Sequence, residues 1–187
     1  MLTEWLRGQT RGVVDLFASA LNKLGLTPNA LTLLGGLMML GTALVLAQGR
    51  LAQGAVLLAL VGAFDALDGG LARLTNRVTR FGAFLDSTTD RWAEAAIYGG
   101  LIWWYTGQGM QVEVLLAYVA LVGSLMVSYT RARAEGIGVD CKVGLFTRFE
   151  RIAVLILGLI TGWMLPALAV LAIFSNLTAL HRVIHVQ

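Results

Sequence analysis

Asp65-Ala66-Leu67-Asp68-Gly69-Gly70-Leu71-Ala72-Arg73 and, after eight intervening residues, Gly82-Ala83-Phe84-Leu85-Asp86-Ser87-Thr88-Thr89-Asp90 decide the character of this chain. They place four carboxylates inside two segments otherwise apolar enough to cross a bilayer, where an uncompensated charge costs roughly 2.5 to 3.5 kcal/mol on insertion scales. Asp65 and Asp68 are spaced i, i+3, and Gly82, Asp86 and Asp90 are spaced i, i+4, i+8, so each set takes one face of its helix. In an antiparallel pair with ends near Thr75 and Thr79, a rise of ~1.5 Å per residue puts Asp65 and Asp90 both ~15 Å from that end, and Asp68 and Asp86 both ~10 Å. Four facing carboxylates repel unless a cation lies among them. An all-oxygen set with no His or Cys nearby favours Mg2+ or Mn2+ over zinc, and one or two ions fit.

Composition supports the membrane reading. The 187 residues are 57% hydrophobic and 13% charged, with a mean hydropathy of +0.75, which is not the balance of a water-soluble domain. Apolar stretches at about 28–48, 51–75, 79–105, 111–134, 147–163 and 166–186 lie mostly near the ~20 residues a spanning helix needs. The expected fold is therefore all-α: a polytopic six-helix bundle forming a single membrane-embedded domain over residues 1–187. An even number of crossings returns both termini to one side, where basic residues should gather. Arg7, Arg11, Lys23, Arg73, Arg77, Arg80, Arg91, Arg131, Arg133, Lys142, Arg148, Arg151 and Arg182 all fall toward that side, and only Arg50 falls opposite. Trp103, Trp104, Tyr105 and Trp163 stand beside the other set of connections, as an interfacial aromatic belt does. Localisation in the cell membrane is expected, with both termini and the acidic site cytoplasmic.

Residues 2–23 mix Leu2, Trp5, Leu6, Val13, Val14, Leu16, Phe17 and Leu21 with Glu4, Arg7, Arg11, Asp15 and Lys23, the pattern of an amphipathic juxtamembrane helix. They lack the continuous apolar core of a signal peptide. The single Cys141 excludes an intrachain disulfide and a cysteine metal cluster. Gly69, Gly70, Ala72, Gly82 and Ala83 keep bulk away from the acidic faces, which leaves room for helices or a ligand to approach. Arg73, one turn from the acids, is suited to a phosphate oxygen. A metal beside an arginine at head-group depth is a place for a diphosphate.

At every specified position the segment Asp65 to Asp90 resembles the D-x2-D-G-x2-A-R-x8-G-x3-D-x3-D signature of the CDP-alcohol phosphotransferase family. The resemblance implies a six-helix membrane enzyme, usually a homodimer, that transfers a phosphatidyl or similar group from a CDP-linked lipid to an alcohol with release of CMP. It implies that Asp65, Asp68, Asp86 and Asp90 hold the metals, Mg2+ or Mn2+ and two ions in number, and that Asp90 is in addition the general base. It further implies that Gly69, Arg73, Thr79 and the stretch Pro28-Asn29-Ala30-Leu31 contact the CDP-lipid. Transfer would be direct, since a carboxylate tied to a cation is a poor nucleophile.

A second constellation concerns the acceptor. Ser128-Tyr129-Thr130-Arg131-Ala132-Arg133-Ala134-Glu135, Arg148-Phe149-Glu150-Arg151 and Arg182 fall at helix ends on one membrane face. Several arginines at the mouth of a bundle make an anion pocket and point to a phosphorylated acceptor. The same charges also fit ordinary positive-inside flanking, with Glu135 and Glu150 as ion-pair partners. The wording around them resembles the branch that makes phosphatidylinositol phosphate from CDP-diacylglycerol and inositol phosphate, which implies that Ser128, Arg131, Arg133, Arg151 and Arg182 bind the acceptor. That branch often has Lys at the place of Arg131 and Pro at the place of Phe149. The archaeal ether-lipid inositol phosphate enzymes and the glycerol 3-phosphate branch stay open.

Other features read blandly. His181 and His185 have metal-binding spacing but no third ligand, and Asn176-Leu177-Thr178 fits a glycosylation sequon inside an apolar helix. Gly158-x3-Gly162 fits helix packing. No nucleic-acid motif is visible. An ion or metal transporter is the alternative from another class, since intramembrane acids also line ion paths. The acids, however, cluster at one depth, and no broken pair of helices suggests alternating access.

Overall fold

The computed structural model describes residues 25–75, 78–144 and 146–187, apart from the side chains of residues 66–70, 73 and 74. Among the described residues all regular structure is helical: α1 Pro28–Ala47, α2 Leu51–Leu74, α3 Arg80–Gly107, α4 Gln111–Gly136, α5 Arg148–Thr161 and α6 Met164–Val186. The amphipathic segment expected at 2–23 lies outside the described residues. Three helices, α1, α4 and α6, are long and apolar enough to cross a membrane, and Leu51–Asp65 forms a shorter apolar stretch. Large apolar side chains such as Leu37, Leu44, Leu60, Leu115 and Trp163 stand exposed, which suits a lipid solvent and not water.

The helix ends follow from local chemistry. Thr27 precedes Pro28 and accepts from the Ala30 amide at 3.3 Å, a cap followed by a proline whose missing N–H is no loss in a first turn. Thr79 does the same for α3, its Oγ1 accepting from the Gly82 amide at 2.9 Å. Thr147 and Glu150 form a reciprocal capping box at the start of α5, and Gly162, left-handed at φ 76°, ends it. Gly162 is therefore a helix stop, which only a residue without a Cβ accepts readily, whereas Gly158 does pack, with Ala167 and Met164 where its Cβ would stand. α6 starts two residues earlier than the apolar run suggests, because Pro166 is tolerated within the first turn.

By contacts the chain forms two units, one of residues up to Gly41 with Leu58–Ala93, the other of Thr42–Leu57 with Glu94–Gln187. In the first, Leu31 and Leu71 are buried against Leu26 and Phe64, and a Cβ on Gly36 would come within 2.5 Å of Thr89 Cγ2, so α1 and α3 approach closely there. In the second, α6 packs along α4 and α5. The buried residues of α4 are Ala117, Ala120, Gly123, Ser124, Val127 and Ala134, mostly small, and in its seam with α6 a Cβ on Gly123 would meet Asn176 and Ser175, the close approach that small residues allow. Asn176 lies in the seam and donates to the carbonyls of Val119 at 3.1 Å and Ala172 at 2.7 Å. Its amide is thus committed to helix packing, which accounts for the sequon-like triplet.

Candidate active site

In the first unit α2 supplies Asp65, and α3 supplies Asp86 and Asp90. Each is half-buried and offers a carboxylate oxygen, and the three oxygens lie within 4.8 Å of one another. The pairing of Asp65 with Asp90 expected from helix rise is thus present. Oxygens at such separations match about twice a metal–oxygen bond of roughly 2.0–2.6 Å, so the donor set fits a hard divalent cation. Arg91 donates to Asp90 Oδ2 at 3.4 Å and to the Ser87 carbonyl at 2.7 Å, which supplies part of the counter-charge. Asp68, Gly69 and Arg73 belong to α2, and their side chains lie outside the described ones.

Beside the helix starts a second feature forms. Pro28, Asn29, Ala30 and Leu31 make the first turn of α1, and Thr79 caps α3. A Cβ on Gly82 would stand 3.0 Å from Thr79 Oγ1 and 3.2 Å from Asn29 Oδ1, so residues expected at the CDP-lipid meet around a glycine. Leu31 alone among them is buried in the core.

The second unit holds the arginines expected at the acceptor. Arg131 pairs with Glu135 at 2.8 Å one turn along α4, while Arg133 is exposed and Ser128 half-buried. Glu150 serves the capping box. Arg182 is only 6% exposed and donates to the Val127 carbonyl and, at 2.9 Å, to the Val143 carbonyl. The charges of Arg131 and Arg151 both act on it.

Arg151 has a partner that the sequence did not announce. Glu94 Oε1 accepts from its Nη2 at 3.2 Å and from its Nε at 3.3 Å, and Ser124 Oγ donates to the same carboxylate oxygen. The signal available was spacing: Glu94 continues the Asp86, Asp90 series by another four residues inside an apolar stretch.

Residues 25–183 match the family described as CDP-alcohol phosphatidyltransferase. The chain is 37% identical over 192 residues to archaetidylinositol phosphate synthase of Methanothermobacter thermautotrophicus, covering 99% of this chain and 96% of that one. It is 39% identical over 181 residues to phosphatidylinositol phosphate synthase of Corynebacterium glutamicum, covering 92% and 83%. Phosphatidylinositol phosphate synthase of Mycobacterium tuberculosis, solved with CDP-DAG bound, superposes with a TM-score of 0.89 at 32% identity over 93% of each chain. The same enzyme in complex with manganese and citrate gives 0.88, covering 92% of this chain and 88% of that one.

Proposed function

The chain belongs to the CDP-alcohol phosphatidyltransferase family, and on that footing we propose that it transfers the phosphatidyl group of CDP-diacylglycerol to inositol phosphate, giving phosphatidylinositol phosphate and CMP. The observation that carries this reading is the Asp65, Asp86 and Asp90 cluster, which sits within the family's acidic signature. Asp65, Asp68, Asp86 and Asp90 would hold two divalent ions, Mg2+ or Mn2+, and the manganese-bound M. tuberculosis enzyme supports that choice. Such ions, when bound, supply Lewis-acid stabilisation of charge on the diphosphate.

The remaining chemistry falls to the chain itself. Asp90 accepts the proton of the acceptor hydroxyl as its oxygen bonds to the lipid-side phosphorus and the bond to CMP breaks. Pro28, Asn29, Ala30, Leu31, Gly69, Arg73 and Thr79 seat the CDP-lipid. Ser128, Arg131, Arg133, Arg151 and Arg182 receive the phosphorylated polyol, where guanidinium forks suit a phosphate monoester. The finer architecture proposed is six crossings with an interfacial N-terminal helix, a homodimer, and the site on the cytoplasmic face. The Lys and Arg distribution supports that sidedness.

A second reading of the donor has its own support, since the archaetidylinositol relative matches across nearly the whole chain. It changes the lipid tails and not the acceptor. The experiment supplies purified protein in detergent with CDP-diacylglycerol or its ether counterpart, Mg2+ or Mn2+, and inositol phosphate, glycerol 3-phosphate, inositol or serine in parallel. CMP release with a phosphatidylinositol phosphate product is the expected result. Preference for glycerol 3-phosphate overturns the acceptor assignment, and ion flux in sealed vesicles without CMP overturns the enzyme reading.

A further inference from the structure

Arg151 is 3% exposed, and the side chain of Glu94 is 14% exposed. A guanidinium in such surroundings needs a counter-charge, and Glu94 supplies it through the Nε and Nη2 edge at 3.3 and 3.2 Å. The Phe146 carbonyl takes one Nη1 hydrogen at 3.4 Å. Ser124 in α4, itself fully buried, fixes the carboxylate in turn. Ser124, Glu94 and Arg151 thus form a chain of bonds joining α4, α3 and α5. A guanidinium carries five N–H groups in a rigid fork, so a carboxylate on one edge sets the direction in which the remaining Nη1 and Nη2 hydrogens point. Glu94 also offsets the positive charge of Arg151, which together with that of Arg131 acts on Arg182.

We infer that Glu94 is a positioning residue of the acceptor site: without touching the acceptor, it holds Arg151 in the orientation that receives the acceptor's phosphate monoester. The inference rests on the reading of Arg151 as an acceptor ligand. A donor fixed in advance loses less freedom on binding, so the effect appears in acceptor affinity and not in the use of CDP-lipid.

The test compares Glu94→Gln, Glu94→Asp and Ser124→Ala with the wild type, measuring KM for inositol phosphate, KM for CDP-diacylglycerol, kcat and thermal midpoint. For Glu94→Gln the acceptor KM should rise about tenfold or more, the ordinary worth of bonds to a charged group. The lipid KM and kcat should stay within about twofold. Glu94→Asp, which keeps the charge, should fall between the two, and Ser124→Ala should raise the acceptor KM alone by about threefold. If Glu94→Gln does not fold, the other two variants decide in the same way. An acceptor KM unchanged in the variants, or both KM values rising together, overturns the inference while the wild-type reaction stands. A wild type that uses only unphosphorylated alcohols overturns the functional reading and this inference with it.

Discussion

Asp65 on α2 and Asp90 on α3 present carboxylate oxygens within 4.8 Å of each other, with Asp86 completing the group. Like charges so close are tolerable when a cation is shared among them. Asp65→Asn and Asp90→Asn should therefore each lower activity at least about a hundredfold, Asp90→Asn also removing the proposed proton acceptor. Mn2+ should raise the thermal midpoint of the wild type and leave that of both variants nearly unmoved. A full Mn2+ response in Asp65→Asn would remove that residue from the metal site.

Gly82 has Thr79 Oγ1 and Asn29 Oδ1 at the edge of the space where a side chain would begin. Gly82→Val should push these groups apart and raise KM for CDP-diacylglycerol roughly tenfold, with a smaller effect on the acceptor. Parallel titrations of the two substrates distinguish this from general loss of fold.

Gly123 faces Asn176 Nδ2 at 2.5 Å and Ser175 Cβ at 2.9 Å from where its Cβ would be. Gly123→Leu overfills this seam, and a destabilisation of about 1–3 kcal/mol is expected. Asn176→Leu should cost about 1 kcal/mol through the bonds lost to Val119 and Ala172. Thermal melts in detergent measure both, and the metal dependence of the folded fraction should not change.

Asp140 lies in the connection after α4, with Lys142 Nζ 2.9 Å from its Oδ2. That hydrogen bond holds its carboxyl below the usual value of 3.8, aided by the charges of Lys142, Arg131 and His185. A depressed folded value favours the native state above the unfolded value, and the benefit disappears as pH falls through the folded one. Because Asp140 is fully exposed, the effect on stability is slight. The check is NMR titration: in Lys142→Ala the Asp140 carboxyl should titrate at higher pH than in the wild type.

Much of this was legible because the informative residues are local in sequence. Helix-spaced acids gave the Asp65, Asp86 and Asp90 cluster, and apolar runs gave six helices with ends within two residues of those observed. Thr147 and Gly162 explain why α5 is shorter than its apolar run, since a capping box and a left-handed glycine set its limits. Glu94 with Arg151 was hidden for the opposite reason. The partners are 57 positions apart, and no spacing rule connects helices that are not sequential neighbours. Arg182 was expected among the arginines at the acceptor end of the bundle, but that its Nε and Nη1 also hold the main-chain carbonyls of Val143 and Val127 is a use that composition does not encode.

Arg182 follows both Val127 and Val143 in the chain and yet grips the carbonyls of both. While the ribosome is still delivering α6, the region between α4 and α5 must wait without its fastener. Those two bonds, and the tie they make between α4, the connection before α5 and the last helix, can form only after that helix has emerged.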